Sequence, residues 1–358
     1  VRILVIRFSA MGDVAMLVPV LNRVLKANPD LEITLLTRSF FKPFFQGIDR
    51  LDFHGVDIKL VKAIPGIYGL KRSLDLEGRF DMILDLHGSL RSRILCFLFG
   101  LSGKPFYRID KGRKEKKLAI RKKGKRLVKL RSSFNRYLDV FEKSGLSIAP
   151  GYFPDQALEN SHLERDLGIR LQAGLKDFMG KKIGDKGKEV WLGWAPFAGF
   201  PLKEMPLSLQ EYHIRLLIQN IPSLRIFLFA GSHQEESLKP FLDLGRRGQL
   251  IFSGSMAESL EEELGIMKNL DLMVSMDSSN MHLASLLGIP TLGIYGPTHP
   301  DLGFFPFLQR ESGTIGLENL ECRPCSIFGN TTCYRGDFAC MRNISGKTIL
   351  DRVRLGIS

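Results

Sequence analysis

The chain has 358 residues, 44% of them hydrophobic, so it can bury sizeable cores and is longer than one typical domain; two domains are the expectation. Its longest apolar patches, such as Ile94 to Leu101, fall short of the roughly 18 residues that span a bilayer, and it opens on a strand-like VRILVIRF rather than a signal peptide, which points to a cytosolic protein. The net charge of +13 is concentrated between Lys104 and Arg131, where fourteen Lys or Arg face only Asp110 and Glu115: the footprint of a polyanionic partner, or else a solvated loop.

In chain order, Val1 to Phe8 reads as a buried strand, Ser9 to Asp13 as a turn, and Val14 to about Asn28 as a helix that Pro19 starts or kinks. Glu32 to Thr37 and Asp81 to Leu86 are further strands, the second followed by HGSLRSR and an apolar helix to Gly100. After the basic block, Ser133 to Ser144 reads as a helix. The glycine-containing, polar DFMGKKIGDKGK, 177–188, suits a linker. A second round of alternation follows: strands at Val190 to Trp194, Leu224 to Ala230 and Leu250 to Ser253, with a helix from Leu209 to Ile221. Strands alternating with helices imply α/β architecture with parallel, doubly wound sheets. The tail from Ser345 to Leu355 reads as a terminal helix.

The stretch DLMVSMDSSNMHLASLLGIPTLGIYGPTH, 271–299, is the most informative. Leu272 to Met276 is a strand, Ser278 or Ser279 a helix N-cap, Gly288 with Pro290 a stop, and Thr291 to Tyr295 the next strand. A helix opening straight from a strand end presents unpaired N–H groups and its positive dipole end, a setting for phosphate. Asp277, Ser278, Ser279, Asn280 and His282 surround that spot, and GPTHP, with Gly296, Pro297 and Thr298, forms the neighbouring loop. The same pattern also fits an ordinary βαβ unit whose polar residues only cap a helix.

Two parallel sheets in tandem predict a cleft lined by loops at the carboxyl ends of their strands. From the first come Ser9, Gly12 and Asp13, then His87 and Arg91; from the second come Lys203 and the Glu235–Glu236 pair. Asp13 fits a general base or a helix N-cap, Arg91 a holder of an acidic group or a partner for Asp85, and Lys203 a counter-ion for a departing diphosphate or a surface lysine. The first turn has Gly12 as its only glycine, so the close backbone approach that a dinucleotide needs is missing. Four of five cysteines, Cys322, Cys325, Cys333 and Cys340, lie together. Their spacing fits a buried thiol cluster better than zinc, because the second pair lacks CxxC spacing.

Taken together, ILVIRFSAMGDV, DLHGSLRSR, PFAGFPLKEMP, FAGSHQEE, DSSNMHLASLLGIPTLGIYGPTHP and the cysteine-bearing tail resemble the bacterial heptosyltransferases of glycosyltransferase family 9, which build the lipopolysaccharide inner core. The resemblance implies a GT-B fold: two Rossmann-like domains facing across a cleft. Residues 1–175, with the basic block 104–131, would bind acceptor; 188–344 would bind a nucleotide sugar; 345–358 would pack back on the first domain. It implies inverting, metal-independent transfer from a donor such as ADP-heptose to a phosphorylated, lipid-linked acceptor, with no cofactor. Asp13 matches the family's catalytic aspartate and Lys203 its diphosphate lysine. Asp277, Ser278, Ser279 and His282 match donor positions, with Asn280 and the GPT of 296–298 beside them and Glu235 or a neighbour toward the nucleoside. Ser9, Gly12, His87, Arg91, Lys114, Lys117 and Arg121 would face the acceptor. The chain departs from the family at Ser278, which replaces Thr, and at Ser279, where a glycine usually follows. The expected setting is a monomer, peripheral at the cytoplasmic face of the inner membrane and bound to no nucleic acid. Competing readings are a nucleotide-sugar epimerase or hydrolase, and a nucleic-acid-binding protein. The basic block supports the last poorly, since Phe106 and Tyr107 are its only aromatics.

Overall fold

The computed structural model describes residues 1–61, 63–150, 186–246, 248–309 and 313–357. The expected boundary at 175 and residues 177–185 of the expected linker lie outside them. The described residues form two units, one of Val1–Arg113 with 131–150, the other of Lys114–Leu130 with 186–357.

The first unit is built on a parallel five-stranded sheet: β1 (Arg2–Ile6), β2 (Glu32–Arg38), β3 (Leu51–Val56), β4 (Met82–Asp85) and β5 (Phe106–Arg108), ordered β3-β2-β1-β4-β5. Ile3 to Ile6 are wholly buried, as a central parallel strand covered on both faces must be. The expected helix from Val14 is two helices, α1 (Met11–Ala15) and α2 (Leu17–Ala27). Pro19 is the third residue of α2 and has no N–H to give to the turn before it, so the break falls just upstream, at Met16. α3 (Ile64–Glu77), α4 (Leu90–Leu101) and α6 (Ser133–Lys143) complete the unit. Ser89 and Ser92 form a reciprocal capping box at the start of α4.

The second unit carries a parallel six-stranded sheet: β6 (Val190–Ala195), β7 (Leu224–Leu228), β8 (Leu250–Phe252), β9 (Leu272–Met276), β10 (Thr291–Ile294) and β11 (Thr314–Ile315), ordered β11-β10-β9-β6-β7-β8. Its helices are α5 (Arg113–Ala119), α7 (Leu207–Asn220), α8 (Glu235–Leu242), α9 (Leu260–Lys268), α10 (Ser279–Leu286), α11 (Ala339–Arg342) and α12 (Gly346–Ile357). In each sheet the strand order reverses beside the unit's first strand, so the loops after β1 and β4, and those after β6 and β9, open at a switch point where ligands of such folds bind.

Two expectations about domain membership are corrected. Residues 114–130 of the basic block belong to the second unit, not the first: Ala119 and Leu130 bury with Leu302, Ile120 and Leu127 pack beside Phe304, and Leu130 N–H donates to the Asp301 carbonyl at 2.8 Å. Helix α12 packs on α7, β9 and β10 in the second unit, whereas the resemblance sends it to the first. Its Ile349, Leu350 and Val353 join the core that holds Ile214, Leu217 and Leu272. Burying that apolar stripe on the nearest sheet is what fixes the helix there. No helix among the described residues is long and apolar enough to cross a membrane.

Candidate active site

In the first unit, the turn after β1 places Asp13 in the first turn of α1. It is not the N-cap, which is Ala10. Its Oδ2 meets Arg7 Nη2 at 2.5 Å, Ser133 Oγ donates to Oδ1 at 3.3 Å, and Tyr137 donates its hydroxyl to the Asp13 carbonyl at 3.1 Å. The carboxylate side chain is one-third exposed, whereas Arg7 is buried and also donates to the Leu86 carbonyl at 2.7 Å. Burial alone would lower the Arg7 pKa, but Asp13 beside it outweighs that and holds it above its ordinary value. Asp13 is thus a carboxylate whose position is set by a buried cation and a serine.

His87 stands on the neighbouring loop, its ring edge-on to Phe8 at 5.6 Å. Burial, then Arg7 and Lys111, push it down to about 3, so it is neutral at physiological pH. Ser9 is half-buried and its backbone meets His87; Gly12 is buried inside α1. Arg91 lies half-buried in the first turn of α4 and does not pair with Asp85. Asp85 instead accepts from the N–H groups of His87 and Gly88, at 3.0 and 2.7 Å, and from Arg108 Nε at 3.3 Å. It therefore organises the β4 loop. Lys111, half-buried, is pushed down by burial and by Arg7 and Arg113.

In the second unit the switch-point loops meet. Lys203, in the short turn Pro201–Lys203 after β6, reaches Asp277 Oδ2 at 3.0 Å, with side chains 15% and 5% exposed. Thr298 donates its hydroxyl to the same oxygen at 2.8 Å from the loop after β10. The Lys203 loop is tied at both ends by Gln210, which accepts from Trp194 Nε1 at 2.8 Å and donates to the Pro196 and Met205 carbonyls. Glu204 holds the middle by accepting from Ala198 N–H at 2.9 Å. Gly329, at φ +75, lies against the Lys203 stem so closely that any Cβ there would collide with it.

Ser278 is the N-cap of α10, as expected, but its side chain does not cap: it meets Ser275 Oγ at 3.1 Å. The helix therefore opens beside Asp277 without a side chain closing its first N–H groups. Ser279 and Asn280 are half-buried in its first turn, and His282 one turn on. Ser279 is absent from the residues with positive φ, so serine stands without strain where the family usually has glycine. Gly296 and Pro297 are buried, their carbonyls turned toward Arg323 and toward the N–H groups of Cys325 and Ser326.

Other expected residues lie apart. Glu235 is exposed at the start of α8, and no described hydrogen bond or ion pair joins it to the Asp277 group. Lys114, Lys117 and Arg121 are exposed and belong to the second unit, whereas Ser9, Gly12, His87 and Arg91 belong to the first. Lys116 and Lys125 of the same block are structural: Lys116 lies 4.3 Å from the Phe304 ring centroid, and Lys125 donates to the carbonyls of Glu321 and Arg323. Cys340 is buried and pushed up to about 12, while Cys322, Cys325 and Cys333 are half-buried. Among the described residues no group of three or more His, Cys, Asp or Glu is placed to hold a metal ion. Arg7, Ser133, Tyr137 and Arg323 escaped the sequence reading; an arginine ending a buried strand was the one available signal, for Arg7.

A family model described as glycosyltransferase family 9 (heptosyltransferase) matches residues 67–332. Lipopolysaccharide heptosyltransferase 1 of Campylobacter coli is 25% identical over 308 residues, covering 83% of this chain and 84% of the relative. Among solved structures, a glycosyl transferase family 9 protein from Veillonella parvula superposes with a TM-score of 0.73 at 18% identity, covering 99% of this chain and 97% of that one. E. coli ADP-heptose lps heptosyltransferase II gives 0.66 at 16% identity, covering 100% and 98%. At these identities the structural likeness is one of fold, the α/β GT-B architecture with two Rossmann-like parallel sheets.

Proposed function

Because the chain belongs to glycosyltransferase family 9, we propose that it moves a heptose from an ADP-sugar to a lipopolysaccharide core acceptor, with inversion and without a divalent cation. That it is a glycosyltransferase follows from the family; the sugar and acceptor are taken from the relatives, one a lipopolysaccharide heptosyltransferase 1, another an E. coli heptosyltransferase solved with ADP.

The observation that carries the reading is the group formed by Lys203, Asp277 and Thr298 at the switch point of the second sheet, next to the open start of α10. A nucleoside diphosphate placed there meets an ammonium, a hydroxyl and helix N–H groups. These take the neutralising part that a divalent cation plays elsewhere. Asp277 keeps the Lys203 side chain aimed while no diphosphate is bound.

In the proposed reaction an acceptor hydroxyl oxygen bonds to the anomeric carbon as the bond from that carbon to the diphosphate oxygen breaks on the opposite face. The electron pair leaves with the diphosphate, and the hydroxyl proton goes to Asp13. Arg7 and Ser133 keep the Asp13 carboxylate in one orientation for that task. His87, held neutral, adds a hydrogen-bonding group beside it without adding charge. The exposed Lys114, Lys117 and Arg121 meet phosphates of the acceptor or the anionic inner-membrane surface at its cytoplasmic face.

The test is Asp13→Asn, which keeps the shape and removes the base. Transfer should fall about 10²- to 10⁴-fold, the usual worth of general base catalysis, while calorimetric binding of ADP stays as in the parent. Parent-like turnover in that variant removes Asp13 from the mechanism.

A further inference from the structure

We propose that Arg323 is a positioning residue for the nucleotide-sugar donor: its guanidinium holds the loop after β10 in the shape that delivers Thr298 to Asp277. This role rests on the donor reading of that site.

The Arg323 side chain is 3% exposed, and its bonds go to backbone carbonyls. Nε donates to Gly296 at 2.6 Å, Nη1 to Leu317 at 2.6 Å, and Nη2 to Tyr295 at 3.0 Å and Thr298 at 3.4 Å. The nearest carboxylate, Glu318, is 3.7 Å away and largely exposed. Burial pulls the Arg323 pKa down, with Glu318 opposing. A cation taken out of water and held mainly by carbonyls is costly unless it satisfies many of them at once. A planar fork with five donors does this; a lysine, with one nitrogen, cannot span the same carbonyls.

The loop is held from a second direction by the same segment. Cys325 and Ser326 donate their N–H groups to the Pro297 carbonyl, at 2.9 and 3.1 Å. Residues 295 to 298 thus all turn their carbonyls toward 323–326. The guanidinium also passes over Gly316, where any Cβ would collide with Nη2, so the passage is shaped to it.

Further along, Ser326 Oγ accepts from Gly329 N–H at 2.9 Å, and Gly329 is the residue packed on the Lys203 stem. One stretch, 323–329, therefore supports both groups that meet at Asp277 Oδ2. Cys322 and Cys325 flank this arginine in CxxC spacing, and it is Arg323 between them that does the positioning.

The experiment compares Arg323→Lys and Arg323→Gln with the parent chain by steady-state transfer, calorimetric titration with ADP, and thermal melting. Arg323→Lys should raise the donor KM and the ADP Kd about tenfold, as expected for losing part of a charge-assisted set, with the acceptor KM within about twofold and the melting curve retained. Arg323→Gln should go further in the same direction. Thr298→Val reads the loop from its other end and should raise the ADP Kd while leaving Arg323 in place, whether or not the glutamine variant folds. Donor KM and ADP Kd unchanged in Arg323→Lys overturn the proposal, as does a parallel rise of donor and acceptor KM. A parent chain that does not bind ADP overturns the donor reading itself, whereas parent binding matched by the variants overturns only the role of Arg323.

Discussion

Lys203 and Asp277 form an ion pair whose two roles, structural and chemical, can be separated by a double-mutant cycle. At 3.0 Å and an effective dielectric of about 20, their attraction is about 5 kcal/mol, set against several kcal/mol for desolvating both charges. Lys203→Met leaves Asp277 buried with only the Thr298 hydroxyl and the start of α10 for support, so it should destabilise the second unit by about 3 kcal/mol, the low end for breaking a buried pair. Asp277→Asn should cost a similar amount by stranding Lys203. The double variant carries neither charge and should cost only about 3 to 4 kcal/mol in place of the roughly 6 that the singles sum to, a coupling energy of about 2 to 3 kcal/mol. Both tryptophans, Trp191 and Trp194, lie in β6, so urea unfolding followed by tryptophan fluorescence reports this unit. Transfer should behave differently: it should fall about 10²- to 10³-fold in Lys203→Met and stay low in the double variant, because restored packing does not restore the cation that meets the leaving diphosphate. A double variant as unstable as the sum of the singles refutes the ion-pair argument. Parent-like turnover in Lys203→Met refutes the donor assignment.

Stability of the second unit should depend on pH through two opposed groups. Burial pushes His213 down to about 4, against a weaker opposing pull from the Ile344 backbone, so its contribution is present above about 6.5 and lost as pH falls toward 4. Burial pushes Glu263 up to about 7, with Ser253 nearby opposing the shift, so its contribution is present below about 4.5 and lost as pH rises through 7. Each is worth up to about 3 kcal/mol, and they offset one another in the parent. His213→Leu should expose the Glu263 slope, giving a variant more stable at about pH 5 than at pH 7 by urea unfolding; the reverse slope would count against both assignments. The exposed cations of the basic segment should act on partners and not on the fold. Replacing Lys114, Lys117 and Arg121 with Gln should weaken sedimentation with anionic vesicles by about 1 kcal/mol per residue, with melting unchanged. Unchanged partition would detach the segment from membrane surfaces.

Much of the architecture is written in local pattern. Buried runs such as Ile3 to Ile6 and Leu272 to Met276, each followed by a turn and a helix, suffice for parallel sheets, and the N-terminus of α10 is legible from Ser278 and Asp277 alone. Strand β3 escaped because Leu51 to Val56 is only partly buried and carries Asp52, His54 and Gly55; β5 escaped as a three-residue edge strand inside a charge run. Partnerships are another matter. That Asp13 meets Arg7 and Ser133, that Asp85 takes Arg108 and not Arg91, and that Arg323 grips residues 295–298 are outcomes of strand order and long-range closure. So are the attachment of residues 114–130 and of α12 to the second unit, since an apolar stripe states that it must be buried but not where. The sequence by itself determined the parallel α/β class and which loops carry chemistry, because periodicity and helix ends act within a few residues. Only the tertiary structure decided which charges face one another, because a buried ion pair is set by the sheet order that brings distant strand ends together.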